Sequence, residues 1–427
     1  MSEKEEFIEA EQIGEVVEDE AGEEPMSEDE EQGQEEENRN VLEIDMSNNS
    51  YSYFDSHTNP NPEDESNEQP YCVTLIETHP TLPMVVSGGT DNMAYLWTTH
   101  KSPVSVVAQL KGHTESVVAG GFTHDGNYVV TGDMTGQVRI WRSRKKGEMW
   151  EFFDTVQEVE EVVWIAFHPK QSIFAVGASD GSVWVYAIEP QLENIAVLNA
   201  HSATSNNGVF VNVDDMDNLS LVTVADDFSI IHWDVYAGKP KYTLDDKPLY
   251  GEHAWISVSL SPTGKTFAAG AHDGTLVIVN VENGNVLNRI NTAAESLEME
   301  SRSIESITWS DSHKLLAIGN VAGEIQLYDL GSWKVRKTLK VEEAVTKLQF
   351  VPGAPLLVSS SYDGLMIKWN VLTGEQKWVS QGHNAGILGF AVQQNGNRLI
   401  SGDDEGVCLV FDTEQQQQQA QKMQLTN

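Results

Sequence analysis

From residue 72 to residue 411 the chain is built of short strips of alternating apolar and polar residues, and no apolar helical period interrupts them. One composite pattern occurs eight times: a strand of small residues, a tight turn carrying Asp or Gly, then a strand of alternating apolar residues. GGTDNMAYLW (88–97), TVADDFSIIHW (223–233) and SSSYDGLMIKW (359–369) are examples. The closing residues are Trp97, Trp141, Tyr186, Trp233, Val279, Tyr328, Trp369 and Phe411, which recur about every 40–50 residues. Each unit has an earlier apolar strand, such as SVVAGGF (116–122) or VVWIAF (162–167), and a later one, such as SVVAQL (105–110) or KVRKTL (334–339). Four short strands per unit predict an all-β chain folded as an eight-bladed β-propeller.

The stretch SYSYFDSHT (50–58) has the character of a strand and exit loop, yet only an acidic run precedes it. The eighth unit ends at its third strand near Phe411 and lacks a fourth. A propeller left open exposes two terminal edges to aggregation. The strand around Tyr51–Phe54 is therefore expected to complete the last blade and clasp the ring shut.

The flanks of the repeat region differ in kind. Residues 1–45 hold 20 Asp and Glu against Lys4 and Arg39, too little apolar surface to offset the entropy of ordering. Residues 414–427, EQQQQQAQKMQLTN, form a glutamine-rich end without periodicity. The expected organisation is an acidic disordered tail over 1–45, a propeller over 46–413 and a second disordered tail over 414–427. The net charge is −40, and −22 of it remains after residues 1–45 are set aside. The propeller is itself acidic, which disfavours nucleic acid and anionic lipid and favours a basic partner. Two cysteines, Cys72 and Cys408, provide no disulfide framework. The N-terminus lacks the features of a secretory signal, and no apolar run approaches the roughly 20 residues needed to span a bilayer. A soluble, monomeric, cytoplasmic protein is expected, with nuclear entry left open.

These units resemble the WD-repeat family over roughly residues 47–412. The family's structural tetrad joins a His before the first strand, a Ser or Thr on the second, an Asp in the turn and a Trp on the third. His57, Ser87, Asp91 and Trp97 match it, as do His201, Thr223, Asp227 and Trp233. His113, Thr131 and Trp141 match in part, with Thr135 at the Asp position; the eighth unit has His383 and Ser401, then Glu405 and Phe411. A Ser/Thr–His–Asp set can serve a hydrolase. Its recurrence with an indole donor favours a buried hydrogen-bond network instead. With no phosphate-binding glycine loop and no Cys/His cluster at zinc spacing, no enzyme activity, cofactor or metal is expected.

Longer strings, including IDMSNNSYSYFDSHT (44–58), QEVEEVVW (157–164), AWISVSLSP (254–262), SIESITWS (303–310) and GHNAGILGF (382–390), carry a closer resemblance. They are similar to the eukaryotic eight-bladed assembly chaperones dedicated to one late-joining large-subunit ribosomal protein, whose animal relative is the angio-associated migratory cell protein. Strand counting places the outer-to-inner loops and the second-to-third turns on one face, called the top. Glu115, Glu160, Glu161, Glu305 and Glu343 fall there, with turn acids Asp133, Asp180, Asp226, Asp363, Asp403, Asp404 and Glu405 and the loop 59–70. Asp91, Asp180, Asp227, Asp273 and Asp363 occupy turn positions that favour Asp on local grounds alone.

The resemblance implies that top-face acids hold the basic N-terminal segment of the ribosomal protein during its synthesis and shield it before delivery to the pre-60S particle. Matching positions are Glu115, Glu161, Glu305 and the turn Asp403–Asp404. That turn is one residue longer than the group's pattern, so which Asp takes the role stays open. The alternatives are a WD-repeat scaffold for acidic or modified peptides, which needs basic residues on the top, or a histone-binding propeller.

Overall fold

The computed structural model describes residues 49–58, 71–245, 253–294 and 297–414. The tails expected over 1–45 and beyond 414, and the acidic loop 59–70, lie outside the described residues. Eight four-stranded antiparallel sheets are formed by the described residues. Seven blades run in sequence order, over residues 73–110, 117–156, 162–198, 205–244, 255–291, 304–340 and 345–379. The eighth takes its inner three strands from 387–412 and its outer strand from Ser52–Phe54. The expected clasp is present: Ser52 pairs with Val410 and Phe54 with Cys408.

Strand composition explains the layering. Second strands such as MVVSGG (84–89) and third strands such as AYLWT (94–98) are buried at every position, because both faces pack against neighbouring blades. Outer strands alternate, as in the fifth blade's VLNRIN (286–291). Apolar clusters lie between successive blades. Phe174, Val176 and Tyr186 pack against Tyr128, Val130 and Ile140, and Ile304 and Trp309 pack against Leu276 and Ile278.

At the closing seam, Phe54 stacks on Trp97 of the first blade with centroids 4.9 Å apart and planes 14° apart. Its ring also meets Tyr95 and His57 edge-on at 5.4 and 5.9 Å. The clasp therefore plugs the seam between the last and first blades rather than only completing a sheet. Between blades 7 and 8, Lys368 of blade 7 is buried, and its Nζ donates to the Gly396 carbonyl at 2.5 Å and to Thr413 Oγ1 at 2.7 Å, both on the blade 8 side. Burial lowers its pKa from 10.5 to about 8. Cys72 and Cys408 are not joined in a disulfide.

Inner strands share one irregularity. In all eight the pairing slips by one residue just inside the strand start, for example between Val73 and Leu75 and between Ile304 and Ser306. Such a bulge turns one side chain out of the ladder. Thr74 and Asn206, the bulged residues of blades 1 and 4, use this to bond the next blade's Val117 and Trp255 carbonyls at 2.5 and 3.0 Å.

Phe54→Ala should destabilise the propeller by about 3–5 kcal/mol, the cost of emptying a large aromatic site; chemical denaturation measures it. Between about pH 8 and 10.5 the unfolded chain still binds a proton at residue 368 that the folded chain has released. Stability therefore rises with pH across that window, by roughly 3 kcal/mol in all. Lys368→Met should flatten this rise in denaturation midpoints taken from pH 7.5 to 10.5.

Candidate functional site

The top face is organised by a backbone bond that every blade repeats. The first residue after the second strand donates its N–H to the carbonyl of the last residue before the inner strand. Thr90→Cys72, Ser179→Glu161, Asp226→Thr204, Tyr362→Ala344 and Asp404→Gly386 are five of the eight, all between 2.9 and 3.2 Å. Turn and loop are thereby pinned together at one end of each sheet, as strand counting predicts. With the bulged residue, each blade offers three register-matched positions at the mouth.

Across those positions in all eight blades the acids are Glu161, Asp226, Glu305 and Asp404, and there is no Lys or Arg. Glu305 is the bulged residue of blade 6 and is exposed. One residue further out, two before the inner strand, Glu115, Glu160 and Glu343 share a register in blades 2, 3 and 7, all exposed. The matching residue of blade 6 is Arg302, whose guanidinium is turned onto the Leu297 carbonyl at 2.6 and 2.9 Å. Asp226 is oriented by Asn206, whose Nδ2 donates to it at 2.6 Å. Asp404 accepts from the Tyr362 hydroxyl at 2.6 Å, while its other oxygen is buried without a hydrogen-bond partner.

Between blades 7 and 8 these groups line an open cleft of about 660 Å³, where Glu342, Glu343, Asp363, Asp404 and Glu405 surround Tyr362. Burial, together with Asp403 and Asp404 alongside, raises the Glu405 pKa. The same crowding shows at Tyr362, whose pKa is raised by its hydrogen bond to Asp404 and by that carboxylate's charge. The sequence reading missed Glu342 and Tyr362; the doubled Glu342–Glu343 was the available signal for the first, and the second has none in sequence.

Two turn acids are not where the sequence reading put them. Asp403 is 2% exposed and accepts from His383 Nδ1 at 2.6 Å and from the Val407 and Glu405 N–H groups. Asp133 is fully buried and likewise binds His113 at 2.9 Å with the Thr135 and Gln137 N–H groups. Both end a second strand in a Ser/Thr-Gly-Asp sequence, which aims the carboxylate inward under its own turn. They replace Thr135 and Glu405 as the tetrad acids, and they leave the mouth. Asp404 is thus the member of the 403–404 pair that faces it.

The two complete tetrads form as expected. Trp97 Nε1 donates to Ser87 Oγ at 3.0 Å, and His57 lies between Ser87 and Asp91, 2.9 Å from each. Trp233, Thr223 and His201 repeat this at 2.7 Å per bond, with Asp227 3.2 Å beyond. Ser87 and Thr223 are fully buried with their oxygens already engaged, so neither can attack a substrate. Asp91, Asp180, Asp227, Asp273 and Asp363 each accept the N–H two residues on, the local role expected of them.

An eight-bladed propeller with an acidic mouth and a buried Ser/His network is a binding platform. Two family profiles match: one described as outer membrane protein assembly factor BamB over residues 92–380, and one described as WD domain, G-beta repeat over 374–412. The chain is 38% identical to the ribosome assembly protein SQT1 of Saccharomyces cerevisiae, over 91% of this chain and 90% of that one. The crystal structure of that yeast protein superposes with a TM-score of 0.78, covering 86% of this chain and 99% of that one. The human angio-associated migratory cell protein is 27% identical over 80% of this chain and 77% of its own. Sqt1 of Chaetomium thermophilum, in a crystal structure bound to the N-terminus of ribosomal protein L10, is 27% identical with a TM-score of 0.74 over 86% of this chain and 100% of that one. The chain belongs to the WD-repeat family, within the group of the ribosome assembly protein SQT1.

Asp403→Asn should cost about 1–3 kcal/mol of stability, because it removes the charged partner of buried His383. Asp404→Asn should leave the unfolding free energy, measured in the same denaturation experiment, within about 0.5 kcal/mol of the parent.

Proposed function

We propose that the protein is a dedicated, non-enzymatic chaperone of ribosome assembly. It holds the basic N-terminal segment of a large-subunit ribosomal protein on its acidic mouth and passes it to the pre-60S particle. One observation carries the reading: Glu115, Glu160, Glu161, Asp226, Glu305, Glu343 and Asp404 occupy matched registers around one opening, and the three innermost positions hold no Lys or Arg. A single exposed ion pair contributes only about 0.2–1 kcal/mol. Carboxylates fixed on a rigid backbone lose little entropy on binding, and several charge-assisted bonds to Arg or Lys add to a useful affinity. Their summed field also steers a cationic segment inward.

The same charge accounts for shielding. Paired with carboxylates, the client's cations are withheld from RNA until the particle is reached. Binding during client synthesis places the encounter in the cytoplasm. The chaperone acts as a monomer and has no nucleic-acid contact of its own.

Glu115→Lys combined with Glu161→Lys should weaken capture of a basic N-terminal ribosomal-protein peptide by about a hundredfold or more while the fold is retained. Calorimetry with circular dichroism on the same samples checks both halves, and unchanged affinity in a folded variant sinks the assignment. Affinity should also fall as pH drops through the raised titration range of Glu405, because protonation there removes one charge from the cleft. Pull-down of the tagged protein distinguishes a single ribosomal protein from a set of histones.

A further inference from the structure

Blade 2 carries a feature that the acidic mouth does not use. Its third strand, Val138–Arg144, and outer strand, Met149–Val156, form a hairpin with Arg142, Arg144, Lys145 and Lys146 near its tip. In a chain with 26 Lys and Arg against 66 Asp and Glu, this is a local reversal of sign. Arg142 and Arg144 share one acid, Glu151. Lys145 and Lys146 are exposed and form no ion pair among the described residues.

The backbone there is costly. Lys145 and Lys146 sit at φ 50° and 58°, followed by Gly147 at 90°. Left-handed residues in succession suit Asn and Gly and disfavour long side chains. Elsewhere the chain makes the same turn with Gln394, Asn395 and Gly396, at φ 50°, 52° and 87°. Lys145 takes the place that Gln394 has in that turn, and Lys146 the place of Asn395, a residue better suited to the left-handed region. The turn is held from beneath: Trp150 Nε1 donates to the Gly147 carbonyl at 3.2 Å, and a side chain on Gly147 would strike Leu82 of blade 1.

The outer strand adds a second property. At eight residues it is the longest in the structure described, and its far edge pairs with no strand. Met149 and Phe152 on it are 44% and 50% exposed, and the Arg139 guanidinium lies 4.6 Å from the Phe152 ring. An exposed ladder of N–H and C=O groups is a template on which another polypeptide backbone can pair. Apolar side chains beside it, with cations at its start, fix the chemistry of that polypeptide.

We propose that this hairpin is a docking edge for an acidic, extended protein segment. The segment adds to Met149–Val156 as a fifth strand, lays apolar residues on Met149 and Phe152, and sets its carboxylates against Arg144, Lys145 and Lys146. The hairpin tip lies at the end of blade 2 opposite the mouth, so a second protein can be held while the mouth is occupied. RNA is the weaker fit, since phosphates leave the strand edge unanswered and meet the field of a −40 chain along their whole length.

The test uses the full chain and a fluorescent synthetic peptide of alternating Glu and Val, followed by anisotropy at low and physiological salt. The peptide should bind, and Lys145→Glu with Lys146→Glu should weaken it at least tenfold. The same peptide N-methylated at alternate residues, unable to complete the ladder, should also bind at least tenfold more weakly. Replacing both lysines by Gly should raise the melting temperature by a few degrees while losing the peptide. Capture of a basic peptide at the mouth serves as the folding control and should be unchanged in every variant. Undiminished binding to the reversed variant or of the methylated peptide, preferential binding of a single-stranded oligouridylate, or no binding at low salt overturns the proposal.

Discussion

A single backbone hydrogen bond, made once in each blade between the end of the second strand and the start of the inner strand, sets the geometry of everything at the mouth. It fastens a turn to a loop that belongs to the preceding connection, so neither can move without opening the sheet. Beneath it a side-chain oxygen caps the turn in every blade. Asp91, Asp180, Asp227, Asp273 and Asp363 do so in five blades, Asp133 and Asp403 in two, and Asn320 in blade 6. The acids that line the opening are therefore not decorations of flexible loops. They are side chains at fixed stations on eight copies of one rigid corner.

That rigidity bears on electrostatics. Like charges on mobile loops relieve repulsion by moving apart, and the cost then vanishes together with the useful field. Here Asp226 is held by Asn206 and Asp404 by Tyr362, and burial, with Asp403 and Asp404 alongside, raises the Glu405 pKa. Repulsion among carboxylates that cannot move apart is relieved by a cationic group placed between them. The two charged stations of the molecule, acidic at the mouth and basic at the blade 2 hairpin, sit at opposite ends of the sheets.

Much of this was legible in the chain. The eight units, their four strands and the clasp at residues 52–54 follow from alternation and from counting strands, because a closed ring fixes how many there must be. The positions of Glu115, Glu160, Glu161, Asp226, Glu305 and Glu343 followed once the top was defined. Asp133 and Asp403 did not. An Asp at the last position of a strand and an Asp at the first position of a turn look alike in sequence, yet one points under the turn and the other into solvent. The inner-strand bulge was also hidden, since it leaves no compositional mark; only the eightfold recurrence of its register shift reveals it. Tyr362 belongs to the same class, because its partner Asp404 lies on a different blade.

The clasp has a consequence for how the molecule comes into being. Ser52–Phe54 is made about 350 residues before the strand it pairs with, around Cys408–Val410. At roughly 5–20 residues per second, the wait lasts on the order of 20 s or longer. Throughout it the Phe54 ring lacks one wall of its slot, and the ring of blades stays open at one seam. A half-made copy thus has the corners of its finished blades without the enclosing circle, which forms only when the strand at Cys408–Val410 docks on Ser52–Phe54.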